Sequence, residues 1–341
     1  MKFIFTLILL IAAAFGLRQI SAADTPFQFQ KDSKSITLLE NGSPIWKYNY
    51  AFLLHDQVPV KDQRRMFGSY FHPVYGMNGE ILTDDAPKDH YHHHGIFWTW
   101  PHVLLHRPNG STEEYDLWLG KPEIRQHFVR FGEQSVKGSS AIFEVENGWY
   151  IGPVDQDENG FVRSGSKIMK EIVRTTTGPS ETRDGVRVRS IDFEFTWTPL
   201  VCPISLGGAE NKSYGGFSVR FHPPGPKDPN TIITTSAKTT EQEEDILDTP
   251  LSWGDFTSTF TAGSGKKSGG MIMVPSDHPD FAPTWMTRHY GAMCVGWPGV
   301  NPKMFPVGKP IKLHYRLWIH EGLLSKDRLQ SEYDRYKASK P

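Results

Sequence analysis

The sequence predicts an all-β protein, a large antiparallel β-sandwich with one short helix at its C-terminus. Three observations carry this expectation. Apolar and polar residues alternate over long stretches, the period of strands with one buried and one wet face. Turn formers recur along the whole chain, 31 Gly and 25 Pro in 341 residues, without a long disordered run. Helical spacing is confined to the tail. Aromatics make up 13% of the chain, including ten Trp, enough to fill a core between two packed sheets.

At the N-terminus, Lys2 precedes an unbroken apolar stretch from Phe3 to Phe15, and small residues follow at Ser21, Ala22 and Ala23. That order predicts a secretory signal over residues 1–23, cleaved after Ala23. The apolar run is shorter than the roughly 20 residues that span a bilayer. The expected mature chain, 24–341, is then a single β-sandwich domain in the periplasm or outside the cell. No later segment is long and apolar enough for a membrane span.

The first strands are expected at Ser35–Leu39 and Ile45–Tyr48, joined by Asn41-Gly42, a strong hairpin signal. Further strands are expected at Ala141–Val145 and Ile168–Thr175. Val186 to Trp197 alternates almost without interruption over twelve residues. Phe217–Phe221 leads into a Pro-rich loop, Phe221–Pro229, which lies between strands and marks no domain break. Gly270–Val274 and Ala292–Gly296 follow, and Ile311–Ile319 repeats the long alternation. The tail from Ser325 to Lys337 places Leu329, Tyr333 and Tyr336 at spacings of four and three, which predicts a helix.

The formal net charge is −1, and loss of Lys2 and Arg18 makes it only slightly more negative. That balance points away from nucleic acid as a partner. Cys202 and Cys294 are the two cysteines, compatible with one disulfide or with two buried thiols, and too few for a cysteine-based zinc site. Asn41, Asn109 and Asn211 each open an Asn-x-Ser sequence, which matters only in a glycosylating host. There is no Walker loop, dinucleotide fingerprint, Gly-x-Ser-x-Gly elbow or His-Glu-x-x-His.

The densest chemical signal is Asp89-His90-Tyr91-His92-His93-His94, four imidazoles and a carboxylate in six residues. An extended backbone would point His90, His92 and His94 one way and Tyr91 and His93 the other; a turn would regroup them. Such a set could hold a divalent metal or supply acid and base groups near neutral pH, and spacing does not separate the two.

These residues also carry a resemblance. Phe71-His72-Pro73-Val74-Tyr75, Gly79-Glu80-Ile81-Leu82-Thr83 and Asp89–Gly95 resemble the secreted bacterial family often labelled PmoA-like, whose motif is close to Asp-His-Pro-His-His-Arg-Gly/Ser. Tyr214–Phe221, Arg288-His289-Tyr290-Gly291 and Gly308–Leu317 followed by His320-Glu321-Gly322 are similar to further stretches of it. The resemblance covers roughly Phe52 to Gly322. Tyr91 stands where the family has Pro, and His94 where it has Arg, so any anion contact made by that Arg is changed here. The label suggests methane oxidation, but that oxygenase subunit spans the membrane many times, which this chain does not. What the resemblance implies is a supersandwich like that of galactose mutarotases and related sugar enzymes, commonly encoded near carbohydrate-degradation genes.

The functional expectation is a secreted carbohydrate-active enzyme with saccharide as its partner. His90, His92, His93 and Asp89 are its acid and base candidates, for hydrolysis, elimination or epimerisation. His72, His94, Arg220, Tyr214, Arg288 and His289 are its substrate-binding candidates. Arg220 suits forked recognition of a carboxylate or sulfate, or else a structural ion pair. Trp98, Trp100, Trp118 and Trp285 could stack on sugar rings, and Asp277-His278-Pro279-Asp280 reads as a loop with a weaker claim. The alternatives are a non-catalytic carbohydrate-binding or surface-assembly protein, which would present aromatics on an open platform, and a His-ligated metalloprotein. The enzyme instead requires His and Arg converging in a pocket.

Overall fold

The computed structural model describes residues 25–157, 161–241, 244–260 and 265–339, so the signal read at 1–23 lies outside the described residues. The alternating segments pair into two large antiparallel sheets. One is nine-stranded, in the order Phe27–Lys31, Ser35–Glu40, Ser43–Asn49, Tyr70–Val74, Ile96–Thr99, Gly216–Arg220, Ala292–Gly296, Thr284–Arg288, Thr249–Pro250. The other is ten-stranded, and its central run is Ser140–Gln156, Val162–Thr177, Val186–Pro199, Ile311–Glu321, Ser268–Met273. A four-stranded sheet, Lys303–Phe305, Ile204–Gly207, His102–His106, Thr112–Tyr115, lies beside them. No helix among the described residues is long and apolar enough to cross a membrane.

The first hairpin forms as its turn chemistry dictates. Asn41 and Gly42 take φ of 50° and 79°, the left-handed pair that matches strand twist, and Glu40 pairs with Ser43. Between the sheets, Trp98 packs on Phe195 at 4.8 Å, Phe217 on Phe193 at 5.3 Å and on Tyr315 at 4.8 Å. Trp98, Trp100 and Trp285 are at most 1% exposed in this core, so they fill volume and cannot stack on a sugar. Cys202 and Cys294 are both buried and free, so the two cysteines are thiols and not a disulfide.

The tail helix spans Lys326–Ala338, with Ser325 as its cap accepting from the Arg328 backbone N–H. Leu329, Tyr333 and Tyr336 seat it on Trp253, Met271, Met273 and Trp318, covering the outer face of the ten-stranded sheet.

Alternation along the nine-stranded sheet builds a second layer. Phe217 and Val219 face the core, so Ser218 and Arg220 face outward. Ser218 sits opposite Phe97 and Cys294, and Met286 opposite Cys294. Phe67, Tyr70, Phe97, Trp118, Met286 and Cys294 form a separate apolar cluster on this outer face. Two residues further along the ladder, Arg220 and Arg288 each oppose Ala292, which brings both cations to the same end of the sheet.

Candidate functional site

The loop from Asp84 to Gly95 joins two adjacent strands of that sheet and carries the histidines. Its base is closed by hydrogen bonds. Gly95 N–H donates to Asp84 O at 2.7 Å, Ala86 N–H to His93 O at 2.9 Å, and Asp84 N–H to Arg220 O at 2.9 Å. Inside it, His90 N–H donates to Pro87 O and His93 N–H to His90 O. These are consecutive turns, so the two-residue alternation expected for an extended segment does not hold. His90, His92 and His93 come together, while Tyr91 goes outward beneath Arg64 and His94 turns to the opposite side.

Gly95 is what permits the closure. Its φ is 52°, and a Cβ there would lie 2.0 Å from the Phe71 carbonyl oxygen. Gly95→Ala should therefore cost about 2 kcal/mol or more in denaturant unfolding. A loss below about 0.5 kcal/mol would show that the loop closes in another way.

The three imidazoles line a cleft of about 490 Å³. His90 stacks on His93 at 4.6 Å and on Tyr290 at 4.8 Å, and His92 stands edge-on to His93 at 4.6 Å. Trp118 packs edge-on to His93 at 5.7 Å and lies 4.6 Å from the Tyr214 ring. Lys212, Asp245 and Arg288 supply charge at the walls, and Met286 belongs to the apolar floor. Burial, reinforced by His90 and Arg64, pushes the His92 imidazole down to about 3. Burial, with His92 and Arg220, also holds His93 well below the usual range. Burial pushes the Tyr290 phenol up to about 12. His92 Nδ1 is buried without a hydrogen-bond partner among the described residues.

Behind this set, Arg220 is 4% exposed and its Nη2 donates to both Asp89 carboxylate oxygens at 3.0 Å. The guanidinium also lies 4.6 Å over the Tyr290 ring and 3.5 Å from His93 Nδ1. His90 Nδ1 lies 3.0 Å from Asp89. Burial alone would raise the Asp89 carboxyl, but His90 and Arg220 outweigh it and hold it far below the usual carboxylate range. Asp89 and Arg220 thus brace the imidazoles from outside the cleft lining.

The other expected site residues separate from it. His72 is hydrogen-bonded to the Thr83 hydroxyl at 3.0 Å and does not line the cleft. His289 is 6% exposed, with Nε2 3.3 Å from Thr240 O, and it supports Asp245 through a backbone N–H bond while Arg288 binds the same carboxylate at 2.7 Å. His278 is buried against the Tyr315 hydroxyl, away from the cleft. His94 is fully buried, stacked on Phe67 at 4.0 Å with Nδ1 2.7 Å from Asp85. The metal expectation therefore changes place. Among the described residues, the group whose ligand atoms lie close enough to hold an ion is His55, Asp85 and His94, which takes His94 alone from the histidine run. Tyr290 joins the cleft without a chemical signal of its own in the sequence, although it sits in the Arg288–Gly291 motif. Nothing local to Asp245 or Lys212 distinguishes them from other charged loop residues.

The model of a family of unknown function, DUF6807, matches residues 35–334. Structural neighbours include a galactose mutarotase-related enzyme from Lactobacillus acidophilus, at 9% identity and TM-score 0.34, covering 87% of this chain and 100% of that one. A polysaccharide lyase follows at 10% identity and TM-score 0.22, covering 89% of this chain and 34% of that one. No curated protein matches the sequence.

Proposed function

The chain belongs to DUF6807, a family of unknown function, and we propose that this member is an exported carbohydrate-active protein that works on a saccharide held in the His90–His92–His93 cleft. The observation that carries the proposal is the meeting, in one concave site, of three imidazoles with aromatic walls and cationic side chains. A cavity of about 490 Å³ falls in the range of small-molecule sites, and sugars present apolar faces to rings and hydroxyls to polar groups. Tyr214 and Tyr290 supply the rings, backed by the buried Trp118. Arg288 and Lys212 supply donors for hydroxyl or carboxylate oxygens.

In this reading His90, whose Nδ1 lies 3.0 Å from Asp89, takes up a proton from the substrate, while the buried rings of His92 and His93 accept hydrogen bonds and the Tyr290 hydroxyl donates one. Asp89 and Arg220 are positioning residues. Hydrolysis, elimination and epimerisation all need a base placed so. The concave site supports an enzyme over a binding platform, because the four candidate stacking tryptophans are at most 3% exposed and form no open platform. The resemblance of the His motif to PmoA-like proteins agrees with a sugar role and adds no reaction.

A panel of neutral and acidic saccharides, screened by calorimetry and by product detection, tests the proposal. The native chain should bind and turn over at least one of them. Tyr214→Ala should weaken binding roughly ten-fold or more, and His90→Gln should keep binding while turnover falls about 10²-fold or more. Absence of binding across the panel would overturn the proposal. So would variants that bind and turn over like the parent.

A further inference from the structure

His94 leaves the cleft for a buried pocket of its own. There it meets His55, from the segment that follows the third strand, with ring centroids 5.1 Å apart. Asp85 lies between them, its Oδ1 2.7 Å from His94 Nδ1 and its Oδ2 3.7 Å from His55 Nδ1. The Tyr70 hydroxyl donates to Asp85 Oδ2 at 2.8 Å. One ligand atom from each of His55, Asp85 and His94 lies within 4.8 Å of the other two.

Hydrogen bonding does not complete this cluster. His55 is 5% exposed and His94 fully buried, and the Nε2 atoms of both rings have no partner among the described residues. Buried ring nitrogens are ordinarily satisfied. Both rings turn Nδ1 toward Asp85 and keep Nε2 without a partner, so the cluster holds more ligand atoms than its hydrogen bonds use.

We propose that His55, Asp85 and His94 form a binding site for a divalent first-row transition-metal ion. Two imidazoles and a carboxylate suit zinc and its neighbours, whereas calcium and magnesium favour oxygen ligands. The Tyr70 hydroxyl is placed to orient the carboxylate. The ion would tie the base of the histidine loop, where Asp85 and His94 form a β-bridge, to the segment bearing His55. The proposal does not rest on the saccharide reading, since the ion could be present in a protein that binds no sugar.

The test uses the full chain, purified without a metal-affinity tag and stripped with chelator, then titrated with Co²⁺ and with Zn²⁺. One Co²⁺ should bind per chain, with the visible absorption of nitrogen and oxygen ligation, and Zn²⁺ should displace it and raise the melting temperature. His55→Gln and His94→Gln should weaken Co²⁺ binding by at least about ten-fold, and His90→Gln should leave it unchanged. Asp85→Asn, which keeps the side-chain shape, carries the same expectation if a histidine variant fails to fold by circular dichroism. No stoichiometric binding by the parent would overturn the site. So would unchanged binding in His55→Gln, or loss of the ion in His90→Gln alone.

Discussion

Glu171→Ala should lower the free energy of unfolding by about 3–5 kcal/mol, a larger loss than Gly95→Ala or any substitution in the cleft should bring. Glu171 is fully buried in the strand Val162–Thr177, on the face turned toward the other sheet. Its Oε1 accepts from Asn147 Nδ2 at 2.8 Å; its Oε2 accepts from Trp149 Nε1 and Trp197 Nε1 at 2.8 Å and from Gln126 Nε2 at 3.0 Å. The network reaches the opposite sheet, where the Tyr48 hydroxyl donates to Asn147 and Gln126 donates to the Trp98 carbonyl. Removing the carboxyl leaves four donors facing a cavity, each costing about 1–3 kcal/mol if it finds no substitute, less whatever water recovers. Glu171→Gln keeps the volume but turns an acceptor into a donor among donors, so it should also destabilise, by about 2 kcal/mol. Urea midpoints at neutral pH measure both. A loss below about 1 kcal/mol for the alanine variant would mean that the carboxyl is dispensable to the core.

The second large effect is acid sensitivity starting well above the carboxylate range. Burial pushes His278 down to about 4, and burial with nearby Arg125 pushes His127 down to about 4, from an ordinary 6.5. Neither ring is more than 6% exposed. The unfolded chain takes up these protons near pH 6.5, and the folded chain only near pH 4. The unfolded state thus binds more protons between those values, and stability falls as pH falls through that window. Each group accounts for about 3 kcal/mol over the full window. Carboxylates add a separate loss further down. Asp62, held to about 2 chiefly by its hydrogen bond to Arg64, contributes stability above its ordinary 3.8 that disappears toward pH 2. Unfolding midpoints taken between pH 7 and pH 4 should decline steeply, and His278→Gln should flatten part of the slope. A midpoint constant down to pH 4.5, or an unaltered slope in the variant, would contradict this account.

Much of the sandwich could be read from the chain because strands with one buried face announce themselves. Val186–Pro199 and Ile311–Glu321 pair over ten registered positions, and both are visible as alternation. The Asn-Gly hairpin and the tail helix are equally explicit. Glu171 is visible only as an exception, a charged residue at an inward position between Met169 and Val173. Its meaning requires the donors from Gln126, Asn147 and Trp197, which sequence distance conceals.

For the candidate site, the sequence singles out residues but not their arrangement. Four histidines signal chemistry, but period-two reasoning groups His94 with His90 and His92, and the turns at Pro87 and His90 undo that grouping. Arg220, Arg288 and Tyr214 can be found because they flank recognisable strands. His55 and Asp245 are single residues in polar connections, brought in by long-range packing that no local pattern encodes.

The back-to-back placement of His93 and His94 has a practical consequence for anyone redesigning this protein. One peptide unit joins a residue of the cleft to the residue that anchors the loop, so neither ring can be relocated without dragging the other. Trp118 arrives on one other connection and Lys212 and Tyr214 together on a second, and these three are the adjustable parts. A library that varies those three and keeps Asp84–Gly95 intact would retune the mouth of the cleft while leaving its machinery in register.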